Sequence, residues 1–134
     1  MKYSWTVNYE TKGSSVSESP CGKAPLMHLW MAVIDAQSTL DRIVEEEGDN
    51  LWTTPQVEIH RYADINGSMK YIDDLLLYAE WDGTDFSASE DGYDFEAWDD
   101  VVDWANEAWN TEEYEAYMAI YRPYAEKHIK PIMS

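Results

Sequence analysis

Carboxylate side chains are the residues of this 134-residue sequence whose number and spacing could do chemistry. The chain holds 27 aspartates and glutamates against 9 lysines and arginines, which gives a formal net charge of −18. The imbalance is local, because no lysine or arginine occurs from Tyr71 to Tyr121 and 16 carboxylates lie within residues 73–115. Protein surfaces usually mix both signs, since like charges repel one another. We therefore interpret this segment as a binding surface for a positively charged partner.

The most regular part of this acidic segment lies on one predicted helix. Apolar residues recur every three or four positions and predict a helix over residues 94–109. Four carboxylates recur with a similar period and therefore share the opposite face. They are Glu96, Asp100, Asp103 and Glu107. Stabilising pairs at i,i+4 would need cations, and this helix has none.

We predict that this helix face and its acidic neighbours contact the partner. The alternative is an ordinary solvated helix face, which is the usual role of a run of charges. The predicted partner-binding residues are Asp82, Asp85, Glu90, Asp91, Glu96, Asp99, Asp100, Asp103, Trp104 and Glu107.

Seven tryptophans are many for a small core, and some of them border the acidic segment. The helical pattern places Trp98 and Trp109 on the inner face, whereas Trp104 lies nearer the acidic edge and Trp81 adjoins Asp82. Aromatic rings bordered by carboxylates suit an interface with a basic, partly apolar groove. The alternative is that Trp81 and Trp104 pack in the core, where aromatic residues dominate small proteins.

Metal and catalytic motifs are weak in this sequence. The spacing around Asn66 and Gly67 partly matches a calcium loop, but Tyr62 takes the first position and Asp73 the last. Cys21 is a lone cysteine without a catalytic signature around it, so we expect an unreactive thiol. No phosphate-binding glycine loop or zinc-spaced cluster occurs. We expect no metal, no cofactor and no enzymatic activity.

The elements that must position these residues begin with a strand and a long helix. Alternating side chains over residues 2–10 predict a half-buried strand, and residues 13–22 are expected to form a loop. Apolar periodicity then predicts an amphipathic helix over about residues 25–47, with Pro25 in its first turn and Gly48 as its end.

Hairpin signals follow the long helix. Residues 57–62 and 69–81 are predicted as strands around the turn at 66–67, with an irregularity at Asp73 and Asp74. A short helix over residues 71–79 is the alternative for part of this segment. The dipeptide at 82–83 predicts a second hairpin that leads into residues 84–89.

The C-terminal part is predicted to be helical. After the helix at 94–109, Asn110 or Thr111 is expected to cap a further helix over about residues 111–129, which Pro123 bends or restarts. The resulting fold class is α+β, with an antiparallel sheet of about four strands, one long helix and two C-terminal helices. We expect a single domain over residues 1–134.

The charge and the cysteine content limit the cellular setting. A surface this acidic repels phosphates and anionic headgroups, so we expect neither direct nucleic-acid binding nor membrane binding. One cysteine allows no internal disulfide, and neither a signal peptide nor a membrane span of about 18 apolar residues is visible. We expect a cytoplasmic protein, in a bacterial host if phage-encoded, as a monomer or homodimer.

In charge and size, the chain is similar to the small acidic anti-restriction and anti-CRISPR proteins of phages and mobile elements. That resemblance, which involves no sequence motif, implies a stoichiometric inhibitor whose acidic surface imitates nucleic acid and blocks the basic groove of a DNA- or RNA-handling protein. An immunity protein that caps a basic toxin is one alternative. A small hydrolase that uses a carboxylate pair or a metal is the other, because acids are abundant throughout the chain.

Overall fold

Five strands and three helices form the described part of the chain, in an α+β arrangement. The computed structural model describes residues 2–19, 28–65, 68–80, 85–88 and 94–128. In chain order the strands are β1 (Lys2–Thr11), β2 (Ser14–Glu18), β3 (Gln56–Ile65), β4 (Ser68–Glu80) and β5 (Phe86–Ala88). The helices are α1 (Leu29–Glu47), α2 (Trp98–Ala108) and α3 (Thr111–His128), with a 3-10 turn, Gly48–Asn50, after α1.

The strands form one antiparallel sheet in the order β2-β1-β3-β4-β5. β1 and β2 make an N-terminal hairpin, and β3, β4 and β5 make a meander that joins it through β1 and β3. The β1–β3 register sets Trp5 opposite Ile59 and Val7 opposite Val57, and all four side chains are buried. The predicted alternation of β1 is thus confirmed, and it supplies one wall of the core.

Helix α1 contacts β1 and β3 on the sheet and also contacts α2. Its apolar stripe is fully buried at Val33, Leu40 and Ile43, which explains the periodicity in the sequence. The helix begins at Leu29, four residues later than expected, because His28 has an extended backbone (φ −64°, ψ 157°). Pro25, the expected first-turn residue, lies outside the described residues.

The end of α1 is where the sequence places it. Gly48 has a positive φ of 45°, which a residue with a side chain adopts at a cost, and its N–H donates to the carbonyl of Val44.

The segment expected to be a loop at residues 13–22 contains the edge strand β2, so that expectation is wrong for residues 14–18. Serine has little strand preference, and Val16 is the only apolar residue of this strand, so alternation gave no signal. The strand forms because Gly13, at φ 89°, lets the chain turn back and pair Val16 with Tyr9. The sheet therefore has five strands where about four were expected.

Residues 71–79 belong to strand β4, so the strand prediction is confirmed and the helix alternative is wrong. Its register against β3 is interrupted, since His60 pairs with Leu75 and Tyr62 pairs with Tyr71. The three β4 residues 72–74 therefore lie opposite the single residue Arg61, which is the irregularity predicted at Asp73 and Asp74. On either side of the predicted 66–67 turn, Ile65 pairs with Ser68, as a two-residue hairpin requires.

The C-terminal helices differ from the prediction mainly at their boundaries. Helix α2 packs on α1 with Trp98, Val101 and Ala105 buried, and the Trp98 Nε1–H donates to Gln37 Oε1 at 2.6 Å. Helix α3 continues through Pro123, so the chain does not restart there. None of the described helices is both long and apolar enough to cross a membrane.

Candidate functional site

The exposed side of α2 carries four carboxylates on one face. The helix begins at Trp98, because Ala97 is extended (φ −153°, ψ 160°), so Glu96 is not part of the helix as the periodicity suggested. With about 100° of rotation per residue, the helical carboxylates span roughly one quadrant of the helix surface. We define the α2 acidic face as Asp99, Asp100, Asp103 and Glu107, all of which are exposed.

Glu96 still adjoins this face, although it precedes the helix. Its backbone N–H donates to Asp100 Oδ2 at 3.3 Å, and its own side chain is exposed. Asp99 and Asp100 lie in the first turn, where the positive end of the helix dipole favours negative charge. The structure therefore brings five of the ten predicted residues together as one acidic surface.

The α2 acidic face has no compensating cation among the described residues. Within the described part of the chain, no lysine, arginine or histidine forms an ion pair with any carboxylate of the α2 acidic face. Side chains at i,i+3 and i,i+4 on a helix are neighbours, so Asp103 faces like charges at Asp99, Asp100 and Glu107. The helical backbone keeps these carboxylates close to one another despite their mutual repulsion.

The other predicted residues are placed differently or lie outside the description. Asp85 is exposed just before β5, and its backbone carbonyl accepts the N–H of Glu80 at 3.0 Å. Trp104 is half-buried and meets Phe95 edge to face, with ring centroids 5.7 Å apart, so packing accounts for part of its surface. Asp82, Glu90, Asp91 and Trp81 lie outside the described residues.

A second acidic region, the α1 acidic end, consists of Glu45, Glu46, Glu47 and Asp49. Here a cation is present, because the Arg42 guanidinium donates to Glu46 at 3.0 Å and also to Glu18 of β2. Burial works against the charge on Arg42, but these two carboxylates outweigh it and raise the pKa of the guanidinium. Arg42 therefore joins β2 to α1 through Glu18 and offsets part of the charge of the α1 acidic end through Glu46.

Sequence reasoning misplaced Trp109, which was expected on the inner face of α2. Trp109 follows the last helical residue, with φ −50° and ψ 129°, so the helical period does not apply to it. Its ring is 42% exposed and contacts Trp30 (centroids 5.3 Å apart) and Tyr114 (4.6 Å). The N-cap at Asn110, whose Oδ1 accepts the Glu113 N–H at 3.1 Å, is the sequence signal that the first helix has ended.

A cavity of about 210 Å³ lies between α1 and α3, and sequence reasoning did not find it. Its walls include Met31, Trp109, Tyr114 and Tyr117, and it also contains the carboxylate of Asp35. Burial of this carboxylate among its neighbours raises the pKa of Asp35, and the Trp5 Nε1–H···Oδ2 bond of 2.8 Å opposes that change in part. The signal in the sequence is an acid within the apolar part of α1.

In the described residues, no three histidine, cysteine, aspartate or glutamate side chains come together in a way that could hold a metal ion. The partial calcium-loop match at Asn66 and Gly67 lies outside the description, and so does Cys21. Two histidines each lie near one glutamate. The distance is 4.0 Å from His28 Nε2 to Glu113 Oε2 and 3.9 Å from His60 Nε2 to Glu58 Oε1.

Comparisons with protein-family models, with curated proteins and with solved structures give no match for this chain.

Proposed function

We propose that this protein is a stoichiometric inhibitor that occupies the nucleic-acid groove of a basic DNA- or RNA-handling protein. The observation that carries the proposal is the α2 acidic face: four exposed carboxylates that have no cationic partner among the described residues. A groove lined by lysine and arginine would supply the missing charges and relieve the repulsion within the helix. The same charges speed the encounter by electrostatic steering.

The anchoring of α2 in the core supports this role. Trp98, Val101 and Ala105 anchor the helix in the core, and the Trp98–Gln37 hydrogen bond ties it to α1. Carboxylates carried on an anchored helix need no ordering of their backbone on binding, which favours affinity. A flexible acidic tail would lack this advantage.

The geometry of one helix does not reproduce a duplex. Carboxylates on successive turns of α2 are about 5.4 Å apart, whereas phosphates follow one another every ~3.4 Å along each strand, in two rows. The N-terminal part of α3, which follows α2 closely in the chain, adds the exposed residues Glu112, Glu113 and Glu115. We therefore propose imitation of the electrostatic potential of nucleic acid by several acidic elements, and not of individual phosphates.

The test compares two variants with the same number of neutralised acids. The α2-neutral variant carries Asp99→Asn, Asp100→Asn, Asp103→Asn and Glu107→Gln. The α1-neutral variant carries Glu45→Gln, Glu46→Gln, Glu47→Gln and Asp49→Asn, and is the matched control. Proteins captured from bacterial lysate by the wild-type chain are purified and bound to a fluorescent duplex or single strand, and each variant is then added in a competition assay.

We expect the wild-type chain and the α1-neutral variant to displace the nucleic acid, and the α2-neutral variant to fail. Simultaneous binding of nucleic acid and wild-type chain by the captured protein would contradict the proposal. Neutralisation of a toxin without competition against nucleic acid would instead indicate an immunity protein.

A further inference from the structure

The cavity between α1 and α3 combines an acceptor with aromatic walls. Among the described residues, only Trp5 donates to the Asp35 carboxylate, and it binds Oδ2. The nearby Thr39 hydroxyl donates to the backbone carbonyl of Asp35 and not to the carboxylate. Asp35 Oδ1 is therefore available to a donor that enters the cavity.

The residues that line the cavity restrict which kind of donor can bind there. Trp109, Tyr114 and Tyr117 supply aromatic rings, whose faces carry negative potential, and Met31 and Met118 supply polarizable apolar surface. An anion would be repelled by Asp35, and a purely apolar group would cover Asp35 Oδ1 without supplying a hydrogen-bond donor, which is costly. A cation on an aliphatic stem satisfies both the carboxylate and the walls.

The size of the cavity favours one side chain. Its volume of about 210 Å³ is below the ~300–1,000 Å³ of pockets that hold drug-sized ligands. Its opening is accessible, because Asp35 is exposed in part and Trp109 is 42% exposed at the rim.

We propose that this cavity binds a lysine or arginine side chain of the basic protein partner, with its cationic head on Asp35 and its stem against Met31, Trp109 and Tyr114. The assignment of the cation to that partner rests on the proposed function. Charge complementarity between an acidic chain of net charge −18 and a basic partner selects this occupant over a second copy of the same chain. Burial leaves the ionised Asp35 short of stabilising partners, as its raised pKa indicates, and a cation supplies one.

The test uses n-butylammonium as a probe for the lysine side chain and n-pentanol as its neutral counterpart. The readout is the indole N–H signal of Trp5 in a nitrogen–proton correlation spectrum, because that group donates directly to Asp35. In the wild-type chain we expect a saturable shift with n-butylammonium and binding about tenfold weaker for n-pentanol, since a charged hydrogen bond is lost. Equal affinity for the two probes would overturn the proposal.

Three variants make the test specific. Asp35→Asn keeps an acceptor for Trp5 but removes the charge, so n-butylammonium should bind about tenfold less tightly. Glu45→Gln removes one exposed charge from the same helix, away from the cavity, and should leave binding unchanged. Met118→Trp fills the cavity from α3 without altering Asp35 and should abolish the shift even if Asp35→Asn proves unstable. Unchanged binding in both Asp35→Asn and Met118→Trp would contradict the inference.

The outcomes separate this inference from the proposed function. Loss of inhibition in the α2-neutral variant together with no binding of n-butylammonium would refute the cavity alone. Retained inhibition in that variant, with n-butylammonium bound as expected, would refute the acidic-groove mechanism alone. Sedimentation that shows a dimer dissociated by Asp35→Asn would place a second copy in the cavity and overturn the proposed occupant.

Discussion

The α1 acidic end and the α2 acidic face contain four carboxylates each. Among the described residues, a cation pairs with an acid of the first region but with none of the second. At α1, Arg42 contacts Glu46 and Glu18, so a helix is tied to the edge strand β2. At α2, no described cation forms an ion pair with the face, although the helix is anchored in the core. Charge density by itself therefore does not identify a binding surface, because some acids, such as Glu18 and Glu46, form ion pairs that stabilise the fold.

The largest expected difference between the two regions is the salt dependence of partner binding. Each charge contact with a basic groove contributes on the order of 1 kcal/mol or more, so the α2-neutral variant should lose about a hundredfold or more in affinity at low salt. Wild-type and α1-neutral affinities should fall steeply as salt increases, because exposed charges are screened within ~8–10 Å near physiological ionic strength. Titrations of the captured partner at several salt concentrations measure this. An equally steep salt dependence in the α2-neutral variant would show that another acidic surface binds the partner.

A smaller effect is expected when the cation of the α1 region is removed. Arg42→Ala should lower the free energy of unfolding by about 0.5–1 kcal/mol, because it breaks two partly exposed ion pairs. Lys12→Ala removes a cation from the β1–β2 turn, where no ion pair is formed with described residues, and is the control. Urea unfolding of the three proteins measures the difference. Equal losses in both variants would mean that net charge, and not the Arg42 pairs, determines the stability of this region.

The Asp35 carboxylate of α1 gives a prediction on the pH dependence of stability. Because the pKa of Asp35 is raised by burial, the folded state binds its proton more tightly than the unfolded state. The contribution of Asp35 to stability is therefore present in acid and is lost as pH rises from the ordinary aspartate value, ~3.9, through the raised one. Asp35→Asn should remove this contribution to the pH dependence of unfolding and stabilise the chain at neutral pH, whereas Glu45→Gln should retain it. A wild-type-like pH profile in Asp35→Asn would argue against a desolvated carboxylate.

The smallest expected effects are changes in stability that differ in sign between Asp103 and Asp99 of the α2 acidic face. Asp103→Asn should stabilise the protein by about 0.2–0.5 kcal/mol, since it relieves repulsion from acids three and four residues away. Asp99→Asn should destabilise it or have no effect, because the helix dipole favours a charge in the first turn by about 0.3–1 kcal/mol. Thermal unfolding of both single variants at low salt gives the two signs. Stabilisation by both substitutions to the same extent would show that repulsion dominates the whole helix.

Sequence patterns predicted the helices and strands whose formation depends on residues close together in the chain. Alternation predicted β1, apolar periodicity predicted the body of α1 and its end at Gly48, and turn residues predicted the β3–β4 pairing and the irregularity in β4. Strand β2 was missed, because a serine-rich strand is defined by its pairing with β1 and not by its own side chains.

The candidate site could be predicted only in part for the same reason. The acidic face of α2 follows from spacing along one helix, so all four of its residues were among those predicted from the sequence. The helix start at Trp98 was not, since an extended Ala97 has no distinctive sequence signal. The cavity around Asp35 needs α1, α3 and Trp109 to meet, and no local pattern describes a meeting of distant segments.

The two edge strands of the sheet affect the tendency of the protein to aggregate at high concentration. Its three long strands, β1, β3 and β4, are interior, whereas the outer strands β2 and β5 have only five and three residues. Short outer strands offer few free backbone groups to another molecule, which protects against edge-to-edge aggregation. Mutual repulsion of highly acidic chains adds a second barrier that disappears as the carboxylates take up protons in mild acid. Under those conditions, the shortness of the outer strands still limits edge-to-edge pairing.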